Sequence, residues 1–288
     1  MFQRKRYDVR LPSGGTMVLG ERTLVMGILN VTPDSFSDGG LLLEADRAVA
    51  AGLRMAADGA DILDVGGEST RPGAEPVGAA EEMRRVLPVV ERLAAQTAAL
   101  ISIDTYKAAV AREAMARGAS IINDISGLQY DPDLGGVAAA TSAPLILMHT
   151  RGTSQEMYSL AVYADVVREV CRELQAAVDR ATAAGVSRES LILDPGFGFA
   201  KRADHSYSLL ARLNDLSAID RPILSGPSRK SFLKEALGKR LPADREWGTA
   251  AAVAASVLLG AHIVRVHDVK AMVDVVRVAD RIRAAARS

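Results

Sequence analysis

LISIDTYKAAVAREAMARGASIINDIS, residues 100–126, carries two short β-branched apolar runs, LISIDT and IINDIS, separated by a segment of helix-forming composition that stops at Gly118. Runs this continuously apolar are expected of parallel strands covered on both faces. The unit repeats outward in both directions. Before it stand LVMGILNV (24–31) and ILDVGG (62–67), and after it PLILMH (144–149), LILDPG (191–196), PILSGPS (222–228) and HIVRVHD (262–268). Segments with helical spacing lie between them, among them EADRAVAAGLRMAADG, AAEEMRRVLPVVERLAA and YADVVREVCRELQAAVDRATAAG. Several reach a glycine just before the next run, at Gly59, Gly118, Gly185 and Gly260, where a left-handed helix end is expected. Eight strand-then-helix units in 288 residues match an α/β fold of the (β/α)8 TIM-barrel type, whose usual length is roughly 250 residues. A doubly wound open sheet would normally place a Gly-rich fingerprint after its first strand, and there is none. The chain therefore reads as a single domain over 1–288, with the barrel at 24–286. Within residues 1–20, YDVRLPSGG and the residues after it read as an N-terminal β-hairpin turning at Ser13-Gly14-Gly15, placed to close the bottom of the barrel.

Composition narrows the function classes. Lys+Arg 35 against Asp+Glu 35 gives a formal net charge of zero, which leaves no electrostatic footprint for nucleic acid or an anionic membrane. An anionic substrate must then be held by a local basic cluster. Cys171 is the single cysteine, so no internal disulfide can form, and the N-terminus MFQRKRYDVR has no apolar signal stretch. A cytoplasmic protein is expected. The most apolar segment, GTAAAVAASVLLGAHIVRV, contains His262 and leads into Arg265, His267 and Asp268, which argues against a membrane span.

In such barrels the chemistry sits at the C-terminal ends of the strands. The eight ends carry Asn30, Asp64 with Glu68, Asp104, Asn123, His149, Asp194, Ser228 with Lys230, and Arg265 with His267. One strand-end carboxylate is ordinarily a cap for the next helix, and Asp104 alone would be read that way. Polar residues at all eight ends imply a polar cleft of acids, amides and bases.

Seven strings occur in order at these ends: NVTPDSFSDGG (30–40), GGESTRPGA (66–74), SIDT (102–105), NDISG (123–127), DPGFGF (194–199), SRKSF (228–232) and RVHDV (265–269). In this the chain resembles the dihydropteroate synthases, pterin-binding enzymes of folate biosynthesis. The resemblance implies a transferase that joins 6-hydroxymethyl-7,8-dihydropterin diphosphate to 4-aminobenzoate and releases diphosphate. It implies Asp104, Asn123, Asp194 and Lys230 around the pterin, with Met148 and Gly226 in the same pocket. It also implies Arg265, His267, Thr70 and Asn30 at the diphosphate or its magnesium ion, Asn30 being the metal residue. Four residues are the catalytic candidates: Asp104, Lys230, Arg265 and His267.

Chemistry fits these assignments. A pterin presents a guanidine-like edge of adjacent N–H donors, the complement of a carboxylate, so Asp194 and Asn123 suit it. Arg71 joins Arg265 and His267 as a group able to hold diphosphate. Mg2+ takes oxygen ligands and commonly bridges to substrate phosphate, so one amide oxygen from Asn30 suffices from the protein. His267 is open to a metal-ligand or general-base role, although His149, His205 and His262 show no ligand spacing with it. Ser228 can donate to the aminobenzoate carboxylate, its amide adjoining a helix start suited to anions. By the family resemblance, Phe199, Phe36 and Pro72 would wall the ring slot. Phe199 read alone is as easily core. Cys171, mid-helix among apolar neighbours, reads as filler, so no covalent nucleophile offers itself. The aryl amine must then attack the substrate directly; carboxylates at the ring and cations at the leaving group favour a dissociative route, with Asp104 stabilising the cation left behind.

Two positions depart from the family pattern. Thr150 stands where a second Met is common, which is expected to alter the pterin pocket lining, and His262 replaces an Asp at the bottom of the last strand. A methyltetrahydrofolate-dependent methyltransferase would share the barrel and the Asp and Asn positions but would not require STRPGA, SRKSF or RVHDV. A non-catalytic pterin-binding paralogue would have no reason to retain the diphosphate residues. The Ala-rich helix from Gly248 to Gly260 and the helix from Val269 could pack on a twin subunit, and the resemblance favours a homodimer.

Overall fold

The computed structural model describes residues 4–32, 41–69 and 73–286, with the backbone alone at 41–43. An antiparallel hairpin of β1 (Tyr7–Arg10) and β2 (Thr16–Leu19) comes first, its turn closed by Gly14 N donating to Leu11 O. Eight parallel strands follow: β3 (Leu24–Asn30), β4 (Ile62–Gly66), β5 (Leu100–Asp104), β6 (Ile121–Asp124), β7 (Leu145–Met148), β8 (Leu191–Asp194), β9 (Leu224–Ser225) and β10 (Ile263–Val266). Their order is β8-β7-β6-β5-β4-β3-β10-β9. Leu193 N, donating to Pro222 O at 2.9 Å, brings the two edges together and closes the cylinder.

The helices around it are α1 (Leu41–Ala57), α2 (Ala79–Gln96), α3 (Ala108–Ala116), α4 (Leu134–Thr141), α5 (Val166–Ala183), α6 (Ala203–Ala211), α7 (Lys234–Leu237), α8 (Glu246–Leu258) and α9 (Val269–Ala285). Gly59, Gly118, Gly185 and Gly260, each preceding a strand, all have positive φ, as expected of left-handed helix ends. The seventh strand is shorter than its apolar run, because Gly226-Pro227 supplies neither a side chain nor a second N–H for the ladder. Beyond it the chain makes a 3-10 turn (Ser231–Leu233) and the four-residue α7, so no long helix begins at Ser228. That corrects the expected anion-binding helix start.

Successive strand residues face opposite ways. Val25, Leu63, Ile101, Ile103, Ile122, Leu145, Leu147, Val264 and Val266 pack outward on the helices. Leu24, Met26, Ile62, Ile121, Ile146, Ile192, Leu224 and Ile263 fill the barrel's lower interior together with Val9, Met17 and Leu19 of the hairpin. The hairpin therefore plugs the bottom, as its sequence suggests. Arg4, 6% exposed, fastens it by donating to Gly20 O, Thr23 Oγ1 and Ala261 O.

His262 completes that seal. Its Nδ1 accepts from Ile223 N at 3.0 Å, its Nε2 donates to Lys5 O at 3.0 Å, and the Tyr7 ring stands edge-on to it. Burial, with Arg4 and Arg283 nearby, pulls its pKa down to about 3, so the folded protein keeps it neutral. Below pH 6.5 the unfolded chain takes up a proton that the folded chain refuses, and stability falls as the pH falls toward 3. Removing His262 removes that component. Between pH 6 and 4 the wild type should lose about 1.4 kcal/mol per pH unit more than His262→Gln. Urea unfolding across this range measures it, and parallel slopes for the two proteins would disprove it.

Candidate active site

On four of the strands, two residues above an inward apolar side chain the same face turns polar. Ile62 leads to Asp64, Ile121 to Asn123, Ile192 to Asp194 and Ile263 to Arg265, each pair on one face by the two-residue period. The centre of the group is Arg265. Its Nε donates to Asp64 Oδ2 at 2.6 Å and its Nη2 to Asp104 Oδ2 at 2.5 Å. Asn123 Nδ2 donates to the same Asp64 oxygen at 2.9 Å. Asp104 and Asn123 thus spend their side chains on this cluster and not on caps or turns. The turn after β6 belongs to Asp124, which accepts from Ser126 N and Leu128 N.

Asp104, Asn123, Met148, Asp194, Phe199, Gly226, Lys230 and Arg265 line one pocket, which encloses about 360 Å3 including its open mouth. All eight are sequence-expected site residues. Asp194 is held by Gly196 N at 2.7 Å. Phe199 is half-buried and lies under the Lys230 ammonium, whose Nζ is 4.0 Å from the ring centroid, so it is neither wholly core nor exposed. Ser228 and His267 pair at the adjacent strand ends, with Ser228 Oγ 3.0 Å from His267 Nδ1 and 3.2 Å from His267 N. The Ser228 hydroxyl is already engaged there. Asn30 ends β3, half-buried, beside β4 and β10. Thr70, Arg71, Pro72 and Phe36 lie outside the described residues.

The charges in this pocket are mutually dependent. Burial raises the Asp104 pKa, Arg265 opposes the rise, and Asp64 and Glu82 add to it. Asp194 is likewise raised by burial, against its bond from Gly196 and the charges of Lys230 and Arg265. Burial works against the Arg265 charge, but Asp64 and Asp104 more than offset it and push its pKa up. Lys230 is pulled down to about 8 by burial and by Arg265, against Asp194 and Asp104.

The chain matches the family model described as pterin binding enzyme over residues 26–267. It is 47% identical to the dihydropteroate synthase of a Synechocystis strain over 273 residues, 94% of each chain. The chain belongs to the dihydropteroate synthase family. A Xanthomonas albilineans dihydropteroate synthase solved with 4-aminobenzoic acid superposes with a TM-score of 0.89 at 46% identity, covering 96% of this chain and 99% of that one. The same bacterium's synthase in complex with 7,8-dihydropteroate gives 0.83 at 44% identity, covering 93% and 96%.

Several features of this dihydropteroate synthase family member are not visible in its motifs. Asp64 is seen as a strand-end acid, but its place as the fully buried partner of both Arg265 and Asn123 comes only from the folded barrel. Glu68 faces away from the pocket, where Tyr106 OH, Lys107 Nζ and Val77 N all donate to it at the base of the second loop. Thr150 does not line the pocket, contrary to expectation. It lines a separate cavity with Gly127, Gln129, His149 and Glu173, which meets the first only at Met148. Cys171 is half-buried against the helical layer, as expected of filler.

The lowered Lys230 pKa has a measurable consequence. The ammonium is charged below pH 8 and lost above it, so affinity for 6-hydroxymethyl-7,8-dihydropterin should fall as the pH rises from 7 to 9. Lys230→Met should bind weakly throughout and show a much smaller fall. Calorimetric titrations across that range test this, and a flat wild-type profile would remove Lys230 from pterin binding.

Proposed function

We infer that this protein condenses 6-hydroxymethyl-7,8-dihydropterin diphosphate with 4-aminobenzoate to give 7,8-dihydropteroate and diphosphate. The observation that carries the reading is the single pocket in which Asp104, Asn123, Asp194 and Lys230 converge with Arg265. The carboxylate of Asp194 accepts the guanidine-like edge of the pterin, Asn123 hydrogen-bonds the ring, and Lys230 donates to the ring carbonyl. Arg265 keeps N–H groups beyond the two that hold Asp64 and Asp104, and with His267 these bind the leaving diphosphate. The carbon–oxygen bond to diphosphate breaks first. Positive charge left on the exocyclic carbon spreads into the dihydropterin, where Asp104 stabilises it, and the aryl amine then attacks and gives up a proton.

Among the described residues no three of His, Cys, Asp and Glu gather into a metal cage. A lone amide oxygen at Asn30 fits Mg2+, which takes its other ligands from water and substrate phosphate. Asn30 would hold the ion, and the ion would neutralise charge on the leaving group.

We also propose a homodimer built on α8 and α9. The groove between them is lined by Ala250, Ala254, Leu258, Val275, Val278 and Ile282, with Val278 61% and Ile282 49% exposed. A contiguous apolar surface of this kind is unusual on a face meant for water. No helix among the described residues is long and apolar enough to cross a membrane.

The assay is diphosphate release with and without 4-aminobenzoate, with dihydropteroate followed by chromatography. Matched release and product support the synthase, whereas pterin binding with no release would favour a non-catalytic paralogue or a methyltransferase. Asp104→Asn should lower kcat about 100-fold while leaving dihydropterin affinity within about threefold; equal losses in both would remove its role at the cation. Val278→Glu with Ile282→Glu should convert a dimer to a monomer in sedimentation or light scattering at several concentrations. A wild type that is monomeric throughout would count against the dimer.

A further inference from the structure

Outside the pocket, one buried cation holds part of the pocket wall in shape. Lys201 lies on the β8–α6 connection and is 2% exposed. Its Nζ stands 2.8 Å from His149 Nδ1, 2.9 Å from Phe199 O, 3.1 Å from Gly196 O and 3.3 Å from His149 O. An ammonium offers three N–H donors and no acceptor, so the His149 Nδ1 that faces it is the bare ring nitrogen. His149 Nε2 then carries the proton and donates it to Glu173 at 2.9 Å.

Three of those four acceptors are backbone carbonyls, drawn from two chain segments far apart in sequence. The segment being held is one that would not keep this shape unaided. Gly196, Gly198 and Ala200 have φ of 67°, 77° and 48°. A Cβ on Gly196 would fall 2.1 Å from His149 O, so the two backbones touch with no side chain between them. This loop presents Phe199, on whose ring the Lys230 ammonium rests, and Gly196 N, which donates to Asp194.

We propose that Lys201 is a positioning residue for the pterin pocket. Its ammonium fixes Phe199 and Gly196, and through them the Lys230 ammonium and the Asp194 carboxylate, without touching ligand. The proposal rests on the pterin-binding reading above. Burial pulls the Lys201 pKa down to about 7 against the opposing charges of Asp194 and Glu173, so the ammonium that makes these bonds is lost progressively above that pH. In return its positive charge helps hold Asp194 ionised. Arginine is no substitute, since a planar fork cannot gather acceptors around one point.

The test is Lys201→Met, which keeps the apolar stem and removes the donors. With 4-aminobenzoate saturating, KM for the dihydropterin diphosphate should rise about tenfold or more, with kcat within about threefold of wild type. Binding of 6-hydroxymethyl-7,8-dihydropterin, followed by its fluorescence, should weaken in parallel. Tyr163→Phe serves if Lys201→Met does not fold. Tyr163 OH donates to Ala200 O at 3.0 Å from the far side of the same loop, and its loss should raise the same KM about threefold. A folded Lys201→Met with lowered Tm but unchanged pterin affinity, or Tyr163→Phe with wild-type KM when Lys201→Met fails to fold, overturns the positioning role. Absence of pterin binding by the unmodified protein would instead overturn the functional reading, and the proposal with it.

Discussion

The two-residue period of the barrel strands governs everything above it. On β4, β6, β8 and β10 the inward side chain at the lower level is isoleucine and the next inward one is Asp64, Asn123, Asp194 or Arg265. A single-residue slip in register would send these polar groups out among the helices and bring Leu63, Ile122, Leu193 and Val264 inside. The dry lower interior enforces the register, and the register places the chemistry. Stability and function are thus separated by two residues of strand and not by separate domains.

Above that apolar floor, a chain of zero net charge concentrates opposite charges in one small space. Asp64 is fully buried and shares one oxygen between Arg265 and Asn123. A carboxylate so placed tolerates burial only while its cation remains, since removing one partner of a buried pair typically costs about 3–5 kcal/mol. Arg265 therefore serves the fold through Asp64, and in the proposed mechanism its remaining N–H groups are the ones left to meet an anionic leaving group. Lys201 behind the wall and Lys230 within it supply positive charge on the other side of Asp194. Burial raises the pKa of Asp104 and Asp194, and these cations oppose that rise, Arg265 and Lys230 at both and Lys201 at Asp194.

Much of this was legible in the residues, because both the apolar runs and the alternation are local. The eight strands, the plug hairpin and the helix-ending glycines follow from patterns a few residues long, whereas the eight described pocket residues come from the family resemblance that the strand-end motifs carry. What escaped depends on how distant segments meet. Nothing in the string DPGFGFAK says that Lys201 will turn back under its own loop to meet His149, because that geometry exists only once β7 and β8 lie side by side. Thr150 stands where the family pattern has a second Met near the pocket, yet in the folded chain it lines the separate cavity beside α5. Ser228 directly follows the seventh apolar run and so reads as adjoining a helix start, whereas the strand ends at Ser225 and a 3-10 turn takes the helix's place.

The hairpin plug also bears on hydration. With Val9, Met17 and Leu19 packed into the lower interior, the described residues close the base of the barrel with apolar side chains. Solvent therefore reaches Asp194 and Asn123 from the strand-end side, the same side from which a ring would have to enter and displace it.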